Sequence, residues 1–493
     1  MKRYIMSRLI RSLFSILAVM TIVFNLIYTA IPRERVFFSD TNIEKLQKRP
    51  DDLLNYKHLQ WERLGYIDYR TIQQFCRGAY EPASEDFTRC IKPDSPETQL
   101  FADGFEAAGF NVGFFPDSGK AFAYRDIPTL RRSLNWWAGL IQVDHPWRVK
   151  NLEPQLRIGP DFAGNPALIC QGCQHKYLIY LSGTFPFLHQ NLLQLNLGVS
   201  YPTYSGRTVV DVLTSSQGAK VLRETVGPGG EVRETALDLH TCRFKENPDH
   251  LQQAFFEDQY VDCRPVREGP SMMRISFIIG LVSLGISYLI GIPAGIYMAQ
   301  KQGQAFDRFG QAYIIGMMSI PSLAYIVLVR FVGGRYLGLP TMFPLLGAGD
   351  WRSYILPAAS LAIGQVAGRM MWTRRYMIDQ SAMDYVRFAR AKGLSEGQIF
   401  QNHIFRNAMG PLAHGIPAAV ILTIAGALIT ESVYSIPGMG KVLPDAINVY
   451  NNSMVIGITF VFTALSILST FLGDLLLVFL DPRISLHEKG GGR

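Results

Sequence analysis

Charge is scarce in this sequence, cysteine is confined to one part of it, and a nucleotide-binding phosphate loop is absent. Only 18% of the 493 residues are charged, against 48% hydrophobic. No G-x-x-x-x-G-K-[ST] loop occurs, so the chain lacks the Gly-rich cradle with which a P-loop ATPase holds its phosphates. The nearest look-alike, Gly113 to Lys120, has five residues between its glycines and Ala121 after the lysine, and is expected to be chance. No internal repeat stands out, and no charge lies clearly at mid-span. Both would be expected of an ion-coupled secondary transporter working without an ATPase, which is the alternative reading. A receptor is a third class. It is expected to carry a cytosolic output domain, and about a dozen residues follow Asp481.

The polar residues concentrate between about Arg33 and Pro270, and long apolar runs fill the remainder. About 20 mostly apolar residues cross a hydrocarbon layer roughly 30 Å thick. Six stretches qualify: Leu9 to Ile31, Ile275 to Ala299, Gln311 to Gly333, Tyr354 to Trp372, Leu412 to Glu431 and Ser453 to Leu480. The first could be a cleaved signal peptide, but its apolar part exceeds a signal core and Ile31-Pro32-Arg33 lacks the small residues of a cleavage site.

Charge orients these spans. Residues 33–270 hold 27 Lys+Arg and 30 Asp+Glu, and the rest of the chain holds 21 and 10, so the basic excess belongs to the membrane part. Arg374, Arg375, Arg387, Arg390, Lys392 and Arg406 lie between the fourth and fifth stretches, and both chain ends are basic. The positive-inside rule places these segments in the cytosol. Both termini are then cytosolic, in a cytoplasmic (plasma) membrane, with residues 33–270 extracellular. Basicity here reports topology, and no nucleic-acid partner is expected.

All six cysteines, Cys76, Cys90, Cys170, Cys173, Cys242 and Cys263, fall in the region placed outside. That suits disulfides, with neighbour pairing (76 with 90, 170 with 173, 242 with 263) as the first expectation. A zinc site on Cys170, Cys173 and His175 is the rival; it lacks a second pair at ligand spacing, and no metal is expected. The outer region carries Trp61, Trp136, Trp137 and Trp147, apolar clusters and the Gly227-Pro228-Gly229-Gly230 turn, and is predicted to be a folded α+β body. Helices are expected around Asp51 to Tyr66 and Leu130 to Leu140. Strands are expected around Lys176 to Leu181, Lys220 to Val226 and Val232 to Leu239.

Residues 382–410 are the most informative stretch. Ser381-Ala382-Met383-Asp384 reads as a capping-box helix start, Gly393 as a stop, and Ser395-Glu396-Gly397-Gln398 as a second capping box opening a helix toward Pro411. Two helices joined at a glycine could receive a push from a soluble partner. The plainer reading is a basic loop retained inside by its charge. A helix-turn-helix DNA reader would need both helices free to reach a groove.

The run DYVRFARAKGLSEGQIFQNHIFRNAMGP, Asp384 to Pro411, resembles the cytosolic signature of permease subunits in oligopeptide and dipeptide ABC importers. Leu195 to Leu213, Gly291 to Ile296, Glu431 to Ile447 and Leu480 to Ile484 agree with the same family in order and spacing. Two departures stand out. The Glu-Ala-Ala triplet general to ABC importers is here Arg387-Phe388-Ala389, the degenerate form of peptide permeases. The outer region is long, as in the Ami type.

The resemblance implies an all-α core of six transmembrane helices, with the α+β domain inserted between the first and second. Residues 1–32 hold the cytosolic N-terminus and first span, 33–270 the outer domain, 271–480 the five-helix core and 481–493 a cytosolic tail. It implies a non-enzymatic subunit that pairs with a second homologous permease and with two cytosolic ABC ATPases, which bind the ATP and Mg. An extracellular substrate-binding protein would deliver the peptide, and the whole would sit in the lipid bilayer. ATPase coupling falls to Asp384, Arg387, Ala389, Arg390, Ala391, Lys392, Gly393, Leu394, His403, Arg406 and Asn407, where the alanines and Gly393 would permit close approach. The pathway or outer gate falls to Glu431, Pro437, Gly438 and Gly440, with Arg330 and Arg369 lining the pathway or snorkelling. Gly291 and Gly295 are expected to serve close helix packing.

Overall fold

The computed structural model describes residues 2–81, 84–143, 193–214, 269–343, 345 and 349–480, together with the backbone of seven short strands between Gln155 and Pro265. The chain opens with α1 (Lys2–Ala30), followed by α2 (Thr41–Leu46), α3 (Pro50–Arg63), β1 (Ile67–Thr71), α4 (Ile72–Arg77), α5 (Glu85–Cys90) and α6 (Pro96–Ala107). Local chemistry sets these starts. Asp40 caps α2 through the Asn42 amide, and α3 carries Pro50 in its first turn with Asp51 and Asp52 beside it. β2 (Asn111–Phe114) and β3 (Ala121–Asp126) complete an antiparallel sheet of order β1-β3-β2, with Tyr69 opposite Tyr124 and Val112 opposite Ala123. Gly113 therefore sits in a strand and Lys120 in the hairpin that follows, as expected of a chance P-loop match. α7 (Thr129–Ala138) leads to β4 (Ile141–Val143).

Between β4 and the next helix lie β5 (Gln155–Pro160), β6 (Pro166–Gln171), β7 (Ile179–Tyr180), β8 (Leu193–Leu195), β9 (Glu224–Val226), β10 (Val232–Glu234), β11 (His240–Phe244) and β12 (Tyr260–Pro265), with α8 (Val209–Thr214) after β8. They pair antiparallel as β5-β6-β7, β4-β8, β9-β10 and β11-β12. The β9–β10 ladder, Val226 opposite Val232, brackets the expected Gly-rich turn.

Cys76 and Cys90 form a disulfide between α4 and α5, with their Cα atoms 6.1 Å apart. Cys173 lies outside the described residues, as do the side chains of Cys170, Cys242 and Cys263. The backbone puts Cys242 and Cys263 at the same level of the β11–β12 ladder, where the register shifts. Among the described residues no His, Cys, Asp and Glu cluster could hold a metal.

The helical bundle follows: α9 (Met272–Gln300), α10 (Ala305–Ser319), α11 (Ser322–Leu337), α12 (Arg352–Ser381), α13 (Asp384–Ala391), α14 (Glu396–Ile399), α15 (Arg406–His414), α16 (Ile416–Leu422), α17 (Leu428–Val433), α18 (Val442–Asn448) and α19 (Asn452–Leu480). A π-helical turn, Phe400–Phe405, joins α14 to α15. Among the described residues four helical runs are long and apolar enough to cross a membrane: Met6–Ala30, Met272–Gln300, Glu396–Val433 and Asn452–Phe479.

Two of the expected spans are interrupted. The third stretch is α10 and α11, bent by 106° at their break, because Ile320 is extended before Pro321, a residue with no N–H to continue the helix. The fifth stretch is broken at Gly426, whose φ of +76° interrupts the helix before α17. The fourth stretch lies inside the longer α12, whose C-terminal half carries Arg369, Arg374, Arg375 and Asp379.

α9 and α12 form the tightest pair. A Cβ on Gly291 would stand 2.6 Å from the Arg369 Cβ, and one on Gly295 would stand 2.7 Å from the Thr373 Cβ, so these glycines set the helix contact.

In the outer region His58 is buried against the rings of Trp61, Tyr69, Phe122 and Tyr124, with Nδ1 2.8 Å from the Leu54 carbonyl. Burial lowers its pKa from the usual histidine range, and Arg33 and Lys57 add to the effect. The neutral ring therefore contributes stability that is complete above about pH 6.5 and is lost as pH falls below it. Thermal unfolding of the outer region should shift to lower temperature between pH 7.5 and 5.5, and His58→Phe should flatten that dependence. A slope unchanged by H58F would assign it to other groups.

Candidate functional site

The hairpin begins where α12 ends. Ser381 does not cap it: its hydroxyl donates to the Ile378 carbonyl at 2.7 Å, α12 continues through it, and the α13 N-cap is Met383, without a side-chain bond. The second capping box is present as expected. Ser395 Oγ accepts from the Gln398 amide, and Gln398 Oε1 accepts from the Ser395 amide. Between the helices Gly393 adopts φ +77°. Its amide donates to Arg390 O and the Leu394 amide to Ala389 O, so these two carbonyls near the end of α13 are satisfied within the hairpin.

Helical spacing then sorts the residues. Val386, Ala389, Ile399, Ile404 and Ala408 are buried and pack with Met377 of α12 and with Ile296 and Ala299 of α9. Ala389 thus faces its own bundle, and the expectation that it meets a partner is corrected: one turn from Val386, it shares that residue's inward face. Asp384, Arg387, Arg390, Ala391, Lys392, Gly393, Leu394, Arg406 and Asn407 are exposed. Phe388, which sequence reasoning passed over within the triplet, is 68% exposed. Arg390 makes a two-pronged pair with Glu396 across the hairpin, at 2.8 and 3.2 Å. His403 is half-buried, and its carbonyl accepts from Tyr385 Oη at 3.5 Å.

A second constellation lies at the other end of α9. Glu431 is 2% exposed. Its Oε1 accepts from Ser276 Oγ at 2.7 Å and from the Ala427 amide at 3.2 Å, and its Oε2 accepts from the Gly440 amide at 2.7 Å. Ser276 Oγ in turn accepts from the Met439 amide at 2.8 Å. Gly438 must be glycine here, since a Cβ would stand 2.4 Å from the Glu431 carboxyl carbon. Glu431, Gly438 and Gly440 are therefore brought together, with Pro437 in the same turn. Ser276 and Gly426 are the members that sequence reasoning missed, because nothing local links residues 155 positions apart.

Ser276 and Glu431 also line a cavity of about 290 Å³ between α9, α12 and the α16–α17 region, along with Gln365, Arg369, Thr423 and Thr430. Arg369 lies 4.4 Å from the Tyr288 ring, and Arg330 donates to the Val433 carbonyl at 2.7 Å. Arg374, read from sequence as one of the free cytosolic charges, forms a two-pronged pair with the fully buried Asp307 at 2.6 and 2.9 Å.

Glu431→Ala would leave the Ala427 and Gly440 amides and the Ser276 hydroxyl short of an acceptor, at about 1–3 kcal/mol for each unsatisfied group. E431A and G438A should therefore lower the thermal midpoint of the purified chain clearly. Gly397→Ala, which meets nothing within 4 Å, should not. An E431A midpoint equal to that of the unsubstituted chain would remove the structural role.

Residues 291–486 match the family model for the binding-protein-dependent transport system inner membrane component. Over 502 aligned residues, covering 100% of both chains, the sequence is 39% identical to the oligopeptide transport system permease protein AmiC of Streptococcus pneumoniae. The dipeptide transport system permease protein DppB of Bacillus subtilis is 33% identical over 221 residues, 44% of this chain and 69% of that protein. The oligopeptide transport system permease protein OppB of Haemophilus influenzae is 30% identical over 219 residues, 43% of this chain and 70% of that protein. With a likeness that runs the whole length of both chains, outer region included, the chain belongs to the oligopeptide transport system permease family of ABC transporters.

Proposed function

We propose that this chain is the transmembrane subunit of an ATP-driven importer of oligopeptides, and that α9 carries motion from the 384–407 hairpin to the Glu431 cluster. The carrying observation is that one helix touches both. Ile296 and Ala299 of α9 pack on the hairpin core, and Ser276 of the same helix binds Glu431. Twenty residues separate Ile296 from Ser276, about 30 Å at 1.5 Å per residue, which is the thickness of a hydrocarbon layer.

Six membrane passes fit this scheme: α1, α9, the bent α10–α11 pair, α12, the run from α14 to α17, and α19. Both termini then lie in the cytosol and residues 33–270 outside, facing the protein that brings the peptide. A second homologous permease completes the pathway. Two cytosolic ATPases supply nucleotide chemistry with ATP and Mg, for which this chain has no phosphate loop.

The exposed face of the hairpin suits a cleft. Phe388 and Leu394 offer apolar contact, and Arg387 and Lys392 offer charge to acidic groups. Because the hairpin's own polar ends are satisfied, it can be pushed as a unit. Closure of the ATPases would then tilt α12 and α9 together, since the glycine contacts hold them as a pair.

Charge reversal at Arg387 and Lys392 together changes only exposed side chains and should leave the chain folded. It should cut co-purification of the ATPases and peptide uptake by about tenfold or more, as for removal of an interface anchor. Full uptake with a reversed hairpin, or labelling that finds Arg387 accessible only from outside the cell, would overturn the assignment.

A further inference from the structure

α7 belongs by sequence to the outer region, yet its contacts run down the first and last spans. Arg132 is buried with its guanidinium 3.8 Å from the rings of both Tyr28 and Tyr66. One turn further on, Trp136 and Trp137 pack against Phe24, Ile456 and Phe460. Trp137 Nε1 donates to Thr21 Oγ1 at 3.2 Å.

Thr21 stands nine residues inside the outer end of α1 at Ala30, and Phe460 stands eight residues inside the start of α19 at Asn452. At 1.5 Å per residue both helices place the indoles about 12–14 Å along their length from the outer end. Depth can also be measured from the cytosolic side. Arg11 is the last charge on α1, and the stretch from Ser12 to Ile31 is twenty residues, which spans a layer of roughly 30 Å. Counted from Ala30 the tryptophan contacts fall within the outer half of that layer, and counted from Ser12 they fall at its middle, where Thr21 is the tenth of the twenty residues.

The opposite face of α7 has no partner among the described residues. Leu130 is 63% exposed and Leu134 61%. Ala138 follows at the next turn, and Ile141, three residues later, is 60% exposed. The i, i+4, i+8 spacing puts Leu130, Leu134 and Ala138 in one apolar stripe on the helix, and Ile141 follows in β4. Arg131 and Asn135 are the exposed polar neighbours, and Arg131, near the upper end beside Leu130, can extend its guanidinium toward headgroups. α1 likewise leaves Ile22 and Leu26, one turn apart on one face, exposed.

We infer that α7 is seated in the outer leaflet, with Leu130, Leu134, Ala138 and Ile141 against lipid acyl chains and the tryptophan pair wedging the helix onto α1 and α19. The outer region is then anchored in the bilayer at a second place and does not stand wholly in water. An apolar stripe along one face of a helix is the feature of a membrane-surface helix. The inference rests on reading α1 and α19 as spans.

The unsubstituted chain, reconstituted with a phosphatidylcholine carrying a diazirine midway along one acyl chain, would be irradiated, digested and mapped by mass spectrometry. Adducts are expected on residues 130–141 about tenfold above those on α6, as for a helix lying in acyl chains. Adducts on Ile22 and Leu26 of α1 report the spans separately. Labelled α1 with unlabelled 130–141 overturns this inference alone, and unlabelled α1 overturns the span reading as well. Leu134→Lys should reduce labelling of 130–141 several-fold while leaving α1 unchanged; equal labelling in L134K would place that face away from lipid.

Discussion

The Glu431 carboxylate accepts hydrogen bonds from three segments: the start of α9 through Ser276, the link at Ala427, and the turn that ends at Gly440. Removing such a group from water costs several kcal/mol, and charge-assisted hydrogen bonds return about 1.5–3 kcal/mol each. The two sides nearly cancel. Glu431 therefore adds little to net stability and much to uniqueness, because any other arrangement of these segments would bury the charge without its donors. The bound carboxylate also explains the glycines. Gly440 gives its amide to it, and Gly438 passes it at a distance no side chain would allow.

The rest of the bundle is arranged around the helix that this carboxylate grips. α9 lies against α12 through Gly291 and Gly295, which brings backbone to backbone, and its far end rests on the hairpin core. The Asp307–Arg374 pair ties α10 to the extension of α12 just before the hairpin. With Asp307 fully buried and also accepting from the Gly303 amide and Gln311, the joint is fixed in geometry. The flexible connections lie elsewhere, at the bend before Pro321 and at Gly426.

Much of this was legible in the sequence because it is local. The apolar runs, the Ser395 capping box, the Gly393 stop and the helix over Asp51 to Tyr66 each depend on residues within a turn or two, and the structure has them. Ser381 failed as a cap because α12 simply continues through it. Its hydroxyl bonds back to the Ile378 carbonyl and is not offered to the next helix. Ser276 and Asp307 were out of reach for another reason. A serine and an aspartate near span ends are ordinary, and their partners lie 155 and 67 positions away. The bend at Pro321 could have been found, since a proline after an extended residue inside an apolar run marks a boundary.

The junction between the outer region and the bundle shows a different kind of packing. Asn451 binds Ser200 and Thr203 at 2.8 Å each, and Asn452 binds Tyr66 at 3.0 Å, so the start of α19 is joined to the segments before β1 and before α8 by directional bonds that resist sliding. Beside them the contact between α9, α8, the Gly-rich turn and α19 is filled by Met272, Met439 and Met454, all buried. Unbranched thioethers fill irregular gaps and repack at small cost. A polar seam thus holds one side of this junction, and a methionine cluster fills the other.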